Sequence, residues 1–312
     1  MNRDTILKTL NIRYVDLKFT LLFPEDTTLP RYKVSALRGG MGQILLEQHC
    51  IRNGDCENCD FSKACVLQQT LYSQYEIQPA FAQKGNSIGY VLECSDTREK
   101  FWEGDTLKFH LLLFGKTIVY LYEFLQAFYW LGRRGIGKAH GQYDIINIKD
   151  QNGNLLLKSG DLYGRNLEVD TIRNYVLKRE KEIFLQKSAE RKLRFLSPVT
   201  IKYRGEFIHE FTKSALLESV MRRIYSFNCF EGIKMEQISL EEEKFIIKEQ
   251  RCFPRSEKRF SSTSGKPMLL RGSGGNITIS ALSETVLLAL LAGEKMHIGK
   301  NTSFGFGQYI IV

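Results

Sequence analysis

Ile136-Gly137-Lys138-Ala139-His140-Gly141-Gln142-Tyr143-Asp144-Ile145-Ile146 returns in altered form near the end of the chain. There the sequence reads Ile298-Gly299-Lys300, then Asn301 to Phe306, then Gly307-Gln308-Tyr309-Ile310-Ile311. Both copies carry I-G-K, then G-Q-Y and an apolar strand, and each follows an apolar segment of helical length, Thr117 to Leu131 and Ser283 to Gly293. A duplicated frame of this kind points to a duplicated fold.

Working outward, the halves keep corresponding. Tyr14 to Phe23 alternates as a strand does, and after a turn around Pro24 and Pro30 comes a helical stretch, Ser35 to Gln48. In the second half Leu193 to Arg204 reads as a strand and Phe211 to Ile224 has helical apolar spacing. Each half then offers a hairpin: Ser87 to Glu93 with Asp105 to Phe114, and Lys244 to Phe253 with Lys266 to Ser280 around a basic turn. Strand, helix, strand, strand, helix, strand, given twice, is an α+β plan of two tandem ferredoxin-like (RRM-like) domains with antiparallel sheets. The expected domains are 1–190 and 191–312. Leu155 to Glu190 fits neither unit and reads as a hairpin and linker helix.

The 312 residues are enough for two domains, and 43% hydrophobic content supports packed cores. A formal charge of +9 favours a polyanionic partner, nucleic acid or an acidic membrane face. The stretch Met1 to Phe19 has no uninterrupted apolar run of the signal-peptide kind. Thr117 to Leu131 contains Glu123 and Gln126 and is too short to span a bilayer. The expectation is a cytoplasmic protein with no membrane partner, in a compartment where thiols stay reduced.

In the closing loop, His297 to Tyr309, glycines at 299, 305 and 307 let backbone amides approach a ligand, and Lys300 adds a charge. Phe304, Phe306 and Tyr309 either stack on bases or pack the loop down. The first loop has Arg133, Arg134, Lys138 and His140 around it. Two further stretches are basic. One holds Arg194, Lys202 and Arg204, the other Arg251, Arg255, Lys258, Arg259 and Arg271. Such charge suits a phosphate backbone or is a solvated face.

Cys50, Cys56, Cys59 and Cys65 fall close together with a C-x-x-C at their centre, in a polar loop, at about 49–66, that cannot fold on apolar burial. Structural zinc suits this spacing and would supply roughly 10–16 kcal/mol of apparent binding energy. An iron–sulfur cluster or unligated thiols are the alternatives. Cys94, Cys229 and Cys252 are scattered core or surface residues.

With these residues in view, the chain resembles the CRISPR repeat-processing endoribonucleases of the repeat-associated mysterious protein (RAMP) superfamily. The resemblance rests on His297-Ile-Gly-Lys300…Phe304-Gly-Phe-Gly-Gln-Tyr309, on Leu193-Arg-Phe-Leu-Ser-Pro-Val-Thr-Ile-Lys-Tyr-Arg-Gly205, and on Leu37-Arg-Gly-Gly-Met-Gly42 running into the cysteines. The last resembles the branch with a metal-binding insert and brings Arg38 to the RNA. The resemblance implies a basic cleft and cleavage of precursor CRISPR RNA within each repeat, without metal in the chemistry. A general base would activate a 2′-hydroxyl, leaving a 2′,3′-cyclic phosphate and a 5′-hydroxyl. By position, His49 is the implied base, with Tyr32 and Lys33 as partners. His297 is the rival, with either a phosphate contact or loop packing as its role, and His49 is alternatively a metal ligand. His110, alternating with apolar residues, reads as a core histidine. A non-catalytic guide-RNA subunit of a CRISPR effector complex, with other effector subunits as partners, and a zinc-stabilised structural RNA-binding protein are the competing readings.

Overall fold

A computed structural model describes residues 2–312 apart from 53, 57, 73, 83–86, 159, 186–187, 189 and 262–265. The first half runs α1 (Arg3–Thr9), β1 (Arg13–Leu22), β2 (Thr27–Thr28), α2 (Lys33–His49), α3 (Val66–Gln69), β3 (Tyr90–Glu93), β4 (Lys100–Phe101), β5 (Thr106–Phe114), α4 (Leu121–Arg134) and β6 (Asp144–Lys149). A hairpin, β7 (Leu155–Lys158) and β8 (Asp161–Leu162), a short β9 (Asp170–Thr171) and α5 (Ile172–Leu185) lead into the second half. That half runs β10 (Glu190–Phe195), β11 (Ile201–Tyr203), β12 (Glu206–Ile208), α6 (Lys213–Phe230), β13 (Ile246–Ser261), β14 (Lys266–Ser280), α7 (Glu284–Met296) and β15 (Tyr309–Ile311).

Both sheets are antiparallel. The first has the order β3-β5-β1-β6, extended by β7 and β8 with β9 on β1, and the second has β13-β14-β10-β15. In each, the first and third strands of the repeat lie side by side at the centre, which is the ferredoxin-like order read from the duplication. In β1, Val15, Leu17, Phe19 and Leu21 enter the core beneath α2 and α4. The opposite face of the same sheet is also covered. Tyr14, Leu112 and Phe114 belong to the second core with α6 and α7, and the Phe114 and Phe227 rings lie 4.6 Å apart. This explains why β1 is buried on both faces rather than alternating.

The helices form where the sequence caps them. Thr212 and Ser283 accept hydrogen bonds from the amides of Ala215 and Val286 at the starts of α6 and α7. In α4, Leu121, Phe124, Leu125, Phe128 and Leu131 make one buried stripe, and Gly135 at φ +90° ends it.

Two features differ from the sequence expectation. Helix α1 forms unannounced: Asn2 caps it, and Ile6, Leu7 and Leu10 pack with α5, α6 and α7 in the second core. The second hairpin is also longer than expected, pairing without a break in the described residues from Glu249↔Thr278 to Ser261↔Lys266. Its charged residues sit on a two-stranded ribbon along which exposed and half-buried positions mix, so charge does not mark a turn. The turn itself lies outside the described residues. No helix among the described residues is long and apolar enough to cross a membrane.

Candidate nucleic-acid interface

The closing loop is glycine-rich because it is wedged between the halves. A Cβ on Gly299 would stand 2.2 Å from the Thr200 carbonyl oxygen, one on Gly305 2.7 Å from that of Leu92, and one on Gly307 2.0 Å from that of Ile298. All three have φ near +80°. The amide nest expected here is largely used up inside the protein. The amides of Ile298, Lys300, Phe304, Gly305, Phe306 and Gly307 donate to the carbonyls of Gly307, Thr200, Asn301, Thr302, Asn301 and Pro198. Gly305 and Gly307 therefore serve packing rather than RNA contact, and Phe306 and Tyr309 are core residues.

His297 is likewise not at a surface. It is fully buried, with Nε2 2.8 Å from Glu93 Oε1 and Nδ1 2.8 Å from the Phe306 carbonyl. The expected RNA contact is corrected to an internal bond between the sheets.

Tyr32 and Lys33 open α2, the first half-buried and the second fully buried. Tyr32 donates its hydroxyl to the Phe304 carbonyl at 2.6 Å, and burial pushes its pKa far above the usual phenol range. The Lys33 ammonium donates to the carbonyls of Pro30, Arg31 and Arg98, and burial pushes its pKa down. His49 closes the same helix, sixteen residues on, which is about 24 Å along the axis. The three do not meet in one centre. Instead His49 lines a cavity of about 290 Å³ with Cys50, Cys56, Cys59 and Cys65, and its Nε2 is buried without a partner among the described residues. Burial, with the other three thiols nearby, raises the Cys56 pKa. The four thiols are thus among the residues that line one cavity. Even so, among the described residues no group of three or more His, Cys, Asp or Glu stands close enough together to hold a metal ion. The expected closed metal cluster is not formed by these side chains as they lie.

What the loop does build is one wall of a cleft of about 630 Å³. The other walls are the β11–β12 turn, the outward face of α6, Arg38 on α2 and the connection around Tyr75 and Ser87. Among the described residues its charged side chains are Arg38, Lys202, Arg204, Arg222, Arg223 and Lys300 against the single carboxylate of Glu218. Such an imbalance in a concave site attracts an anionic chain. Phe207, 60% exposed, stands beside it with the ammonium groups of Lys202 and Lys300 each 6.0 Å from the ring. An open aromatic face between two cations matches base stacking beside phosphate contacts. At the back, the Phe304 ring is sandwiched by the guanidiniums of Arg38 at 4.5 Å and Arg259 at 4.4 Å.

The remaining expected contacts are dispersed. Arg133 and Arg134 pair with Asp144 and Glu47, whereas Lys138 and His140 are open or nearly so in the first glycine loop. Arg194 is exposed on β10. On the long hairpin Arg251 and Arg255 are paired with Glu249 and Glu257, while Lys258 and Arg271 are exposed. Sequence reading missed Phe207, Arg222 and Arg223. For Arg223 a signal existed: an arginine on the helix stripe of Leu216, Val220 and Phe227, where apolar residues belong. It also misread His110, which is partly open on β5, with Nδ1 2.7 Å from buried Asp16, while Lys295 of α7 holds the other Asp16 oxygen at 2.6 Å.

The fold is thus of the α+β class, two antiparallel-sheet units of ferredoxin-like order beside a cation-rich cleft. Residues 193–309 match the family model of the CRISPR-associated endoribonuclease Cas6, and residues 10–170 match a model described as an N-terminal domain. The similarity to Cas6 in sequence is thus carried by the second half of the chain. Its fold is similar to that of a partial Cas6-RT-Cas1–Cas2 complex, with a TM-score of 0.57 and 15% identity over 97% of this chain and 47% of that one. It is also similar to a Thermus thermophilus Cas6 product complex, with a TM-score of 0.50 and 11% identity over 96% of this chain and 100% of that one. A second Cas6 product complex gives 0.50 and 16% over 96% and 99%. The chain spans about half or less of the two Cas6-RT-Cas1–Cas2 chains it matches. No curated protein matches the sequence.

Proposed function

We propose that this protein cuts precursor CRISPR RNA within its repeats, using a general base and no metal, to give guide RNAs with 2′,3′-cyclic phosphate and 5′-hydroxyl ends. The observation that carries the reading is the cleft itself, among the described residues six cations and one carboxylate beside an open phenylalanine, built mostly by the segment that matches Cas6 with Arg38 added from α2. Cations of this kind hold the backbone and stabilise the charge that develops on the scissile phosphate. His49 remains the proposed base, since it closes the helix that also brings Arg38 to the cleft. Tyr32 and Lys33 are proposed to hold the loop in place instead of moving protons.

A second reading of His49 is favoured by its place among the cysteines. We propose that zinc draws Cys50, Cys56, Cys59 and Cys65 together, with His49 as neighbour or ligand; the thiolate-rich donor set suits that ion. Repeat RNA is the proposed partner, with other CRISPR proteins as further ones, as the name of the Cas6-RT-Cas1–Cas2 complex suggests.

The test is cleavage of a repeat-containing transcript in EDTA, with metal content measured in parallel. Cutting that persists in EDTA supports the proposal. RNA bound but left whole favours the guide-binding subunit, and equal affinity for scrambled RNA favours a general RNA binder. His49→Ala that stops cutting while keeping RNA affinity and metal content supports the base, and loss of metal marks it as a ligand.

A further inference from the structure

The deepest cation in the cleft has no counter-ion. Arg223 is 9% exposed and lines the cleft from α6. Its guanidinium lies 4.7 Å from the Phe227 ring, and Nε donates to the carbonyl of Met296, the last residue of α7, at 3.0 Å. Its Nη2 is buried with no hydrogen-bond partner, and no carboxylate pairs with the group among the described residues. Burial pushes the pKa down to about 10, which leaves the charge in place at neutral pH. The α7 C-terminus offsets part of that charge through its carbonyl dipole. A buried guanidinium with one fork arm unbonded is otherwise unfavourable, and side chains so placed persist where a ligand completes them.

The surroundings show which ligand. Lys300 of the glycine loop and the hydroxyl residues Tyr75 and Ser226 line the same cleft. Cations with hydroxyl donors are a match for a tetrahedral oxyanion, since the planar fork binds two oxygens and the others bind the rest. We propose that Arg223, with Lys300, Tyr75 and Ser226, forms a seat for one phosphate of the RNA backbone, fixing the register of the strand in the cleft. This rests on the RNA-processing reading for the source of the phosphate, not for the seat. Because Arg223 holds the end of α7 and the glycine loop starts at the next residue, a phosphate here also fastens the loop. Arg223 is a positioning residue, since it sets where the strand lies and touches no reacting atom.

Two measurements separate the seat from the function. In the first, the full chain is melted in sodium phosphate and in sodium chloride at equal ionic strength. Phosphate should raise Tm by about 2–4 °C. Arg223→Met should melt in chloride at or above the wild-type temperature, because a bare buried charge is gone, and should not respond to phosphate. In the second, repeat RNA is titrated at several salt concentrations. Arg223→Met should bind about 10- to 100-fold more weakly, with a log–log salt slope shallower by about 0.7. Arg223→Lys keeps charge and reach. It should fold if the methionine variant does not, and should still lose most of the RNA affinity because it lacks the fork. Arg223→Met that is destabilised yet keeps the phosphate response overturns the proposal. So does loss of the phosphate response with RNA affinity unchanged, which marks a site for free anion. A wild-type chain that responds to phosphate but ignores repeat RNA keeps the seat and removes the RNA-processing reading.

Discussion

His297 and Glu93 face each other at 2.8 Å where the last helix of the second half meets the first sheet. The other ring nitrogen of His297 faces the Phe306 carbonyl, also at 2.8 Å. A carbonyl only accepts, so Nδ1 is the donor to Phe306, and the ring is held between a backbone acceptor and a carboxylate. The histidine also sits at φ +58°, a conformation that costs of order 1–3 kcal/mol away from glycine and persists where its surroundings fix it. The two contacts make His297 a fastener between the halves.

Removing either partner should therefore damage the fold first. His297→Ala leaves the Glu93 carboxylate without its partner, and losses of about 3–5 kcal/mol accompany that change at buried pairs. Urea unfolding of His297→Ala, Glu93→Gln and the double variant should show the double costing less than the sum of the singles. A His297→Ala protein with unaltered stability and no cleavage would return the residue to the chemistry.

The polar cluster of Asp16, His110 and Lys295 makes stability depend on pH. Burial alone would push the Asp16 pKa up, but Lys295 and His110 outweigh it and hold the acid far below the usual carboxylate range. Burial likewise acts to lower His110, and the hydrogen bond and charge of Asp16 reverse it, so His110 is raised above its ordinary 6.5. A raised histidine contributes fully below its unfolded pKa and loses that contribution as pH climbs through its folded one. Wild-type stability should thus decline from about pH 6.5 into the range above it, and His110→Gln should flatten that decline. At the acid end, the depressed Asp16 loses its contribution as pH falls below its unfolded value. Denaturation midpoints measured across the pH range check both signs. A His110→Gln profile parallel to wild type above neutrality would sink the account.

The fold was legible because the duplication repeats at the level of strands and helices, and alternation and helical spacing are local. What the sequence withheld was long-range. Nothing near His49 shows that Tyr32 and Lys33 lie at the other end of one straight helix, although counting sixteen residues of α2 makes it plain once that helix is granted. Glycines at 299, 305 and 307 look the same whether they open a nest or admit a neighbouring carbonyl. Only the positions of Thr200, Leu92 and Ile298 decide. Arg223 was readable in principle, as a cation on an apolar stripe, but Phe207 was not, since an exposed phenylalanine in a two-turn hairpin carries no local sign of the two lysines beside it.

Tyr32→Phe separates packing from proton transfer. The hydroxyl donates to the Phe304 carbonyl at 2.6 Å, and the ring meets Phe306 edge-on at 5.8 Å. The variant keeps the ring and loses one hydrogen bond, so stability should fall by about 0.5–1.5 kcal/mol. Cleavage per folded molecule should stay within a few-fold of wild type. A loss of two orders of magnitude at unchanged stability would place the phenol in the reaction.

Two glycine-to-alanine changes should move stability in opposite directions. Gly39 lies inside α2 with nothing within 4 Å of a built Cβ. Alanine there meets no obstacle, gains helix propensity and narrows the unfolded ensemble, so Gly39→Ala should stabilise by about 0.5–1 kcal/mol. Gly307 has φ +82°, and its Cβ would stand 2.0 Å from the Ile298 carbonyl oxygen and 2.8 Å from the Ile298 nitrogen. Those atoms are backbone; the Ile298 amide donates to the Gly307 carbonyl and the Gly307 amide to that of Pro198, so neither side yields without opening the loop. Gly307→Ala pairs left-handed strain of about 1–3 kcal/mol with the lost loop contacts and should unfold well before wild type in urea. If Gly307→Ala is instead as stable as wild type while RNA binding fails, the loop amides face RNA after all, and the wedge between the halves is not what the glycines are for.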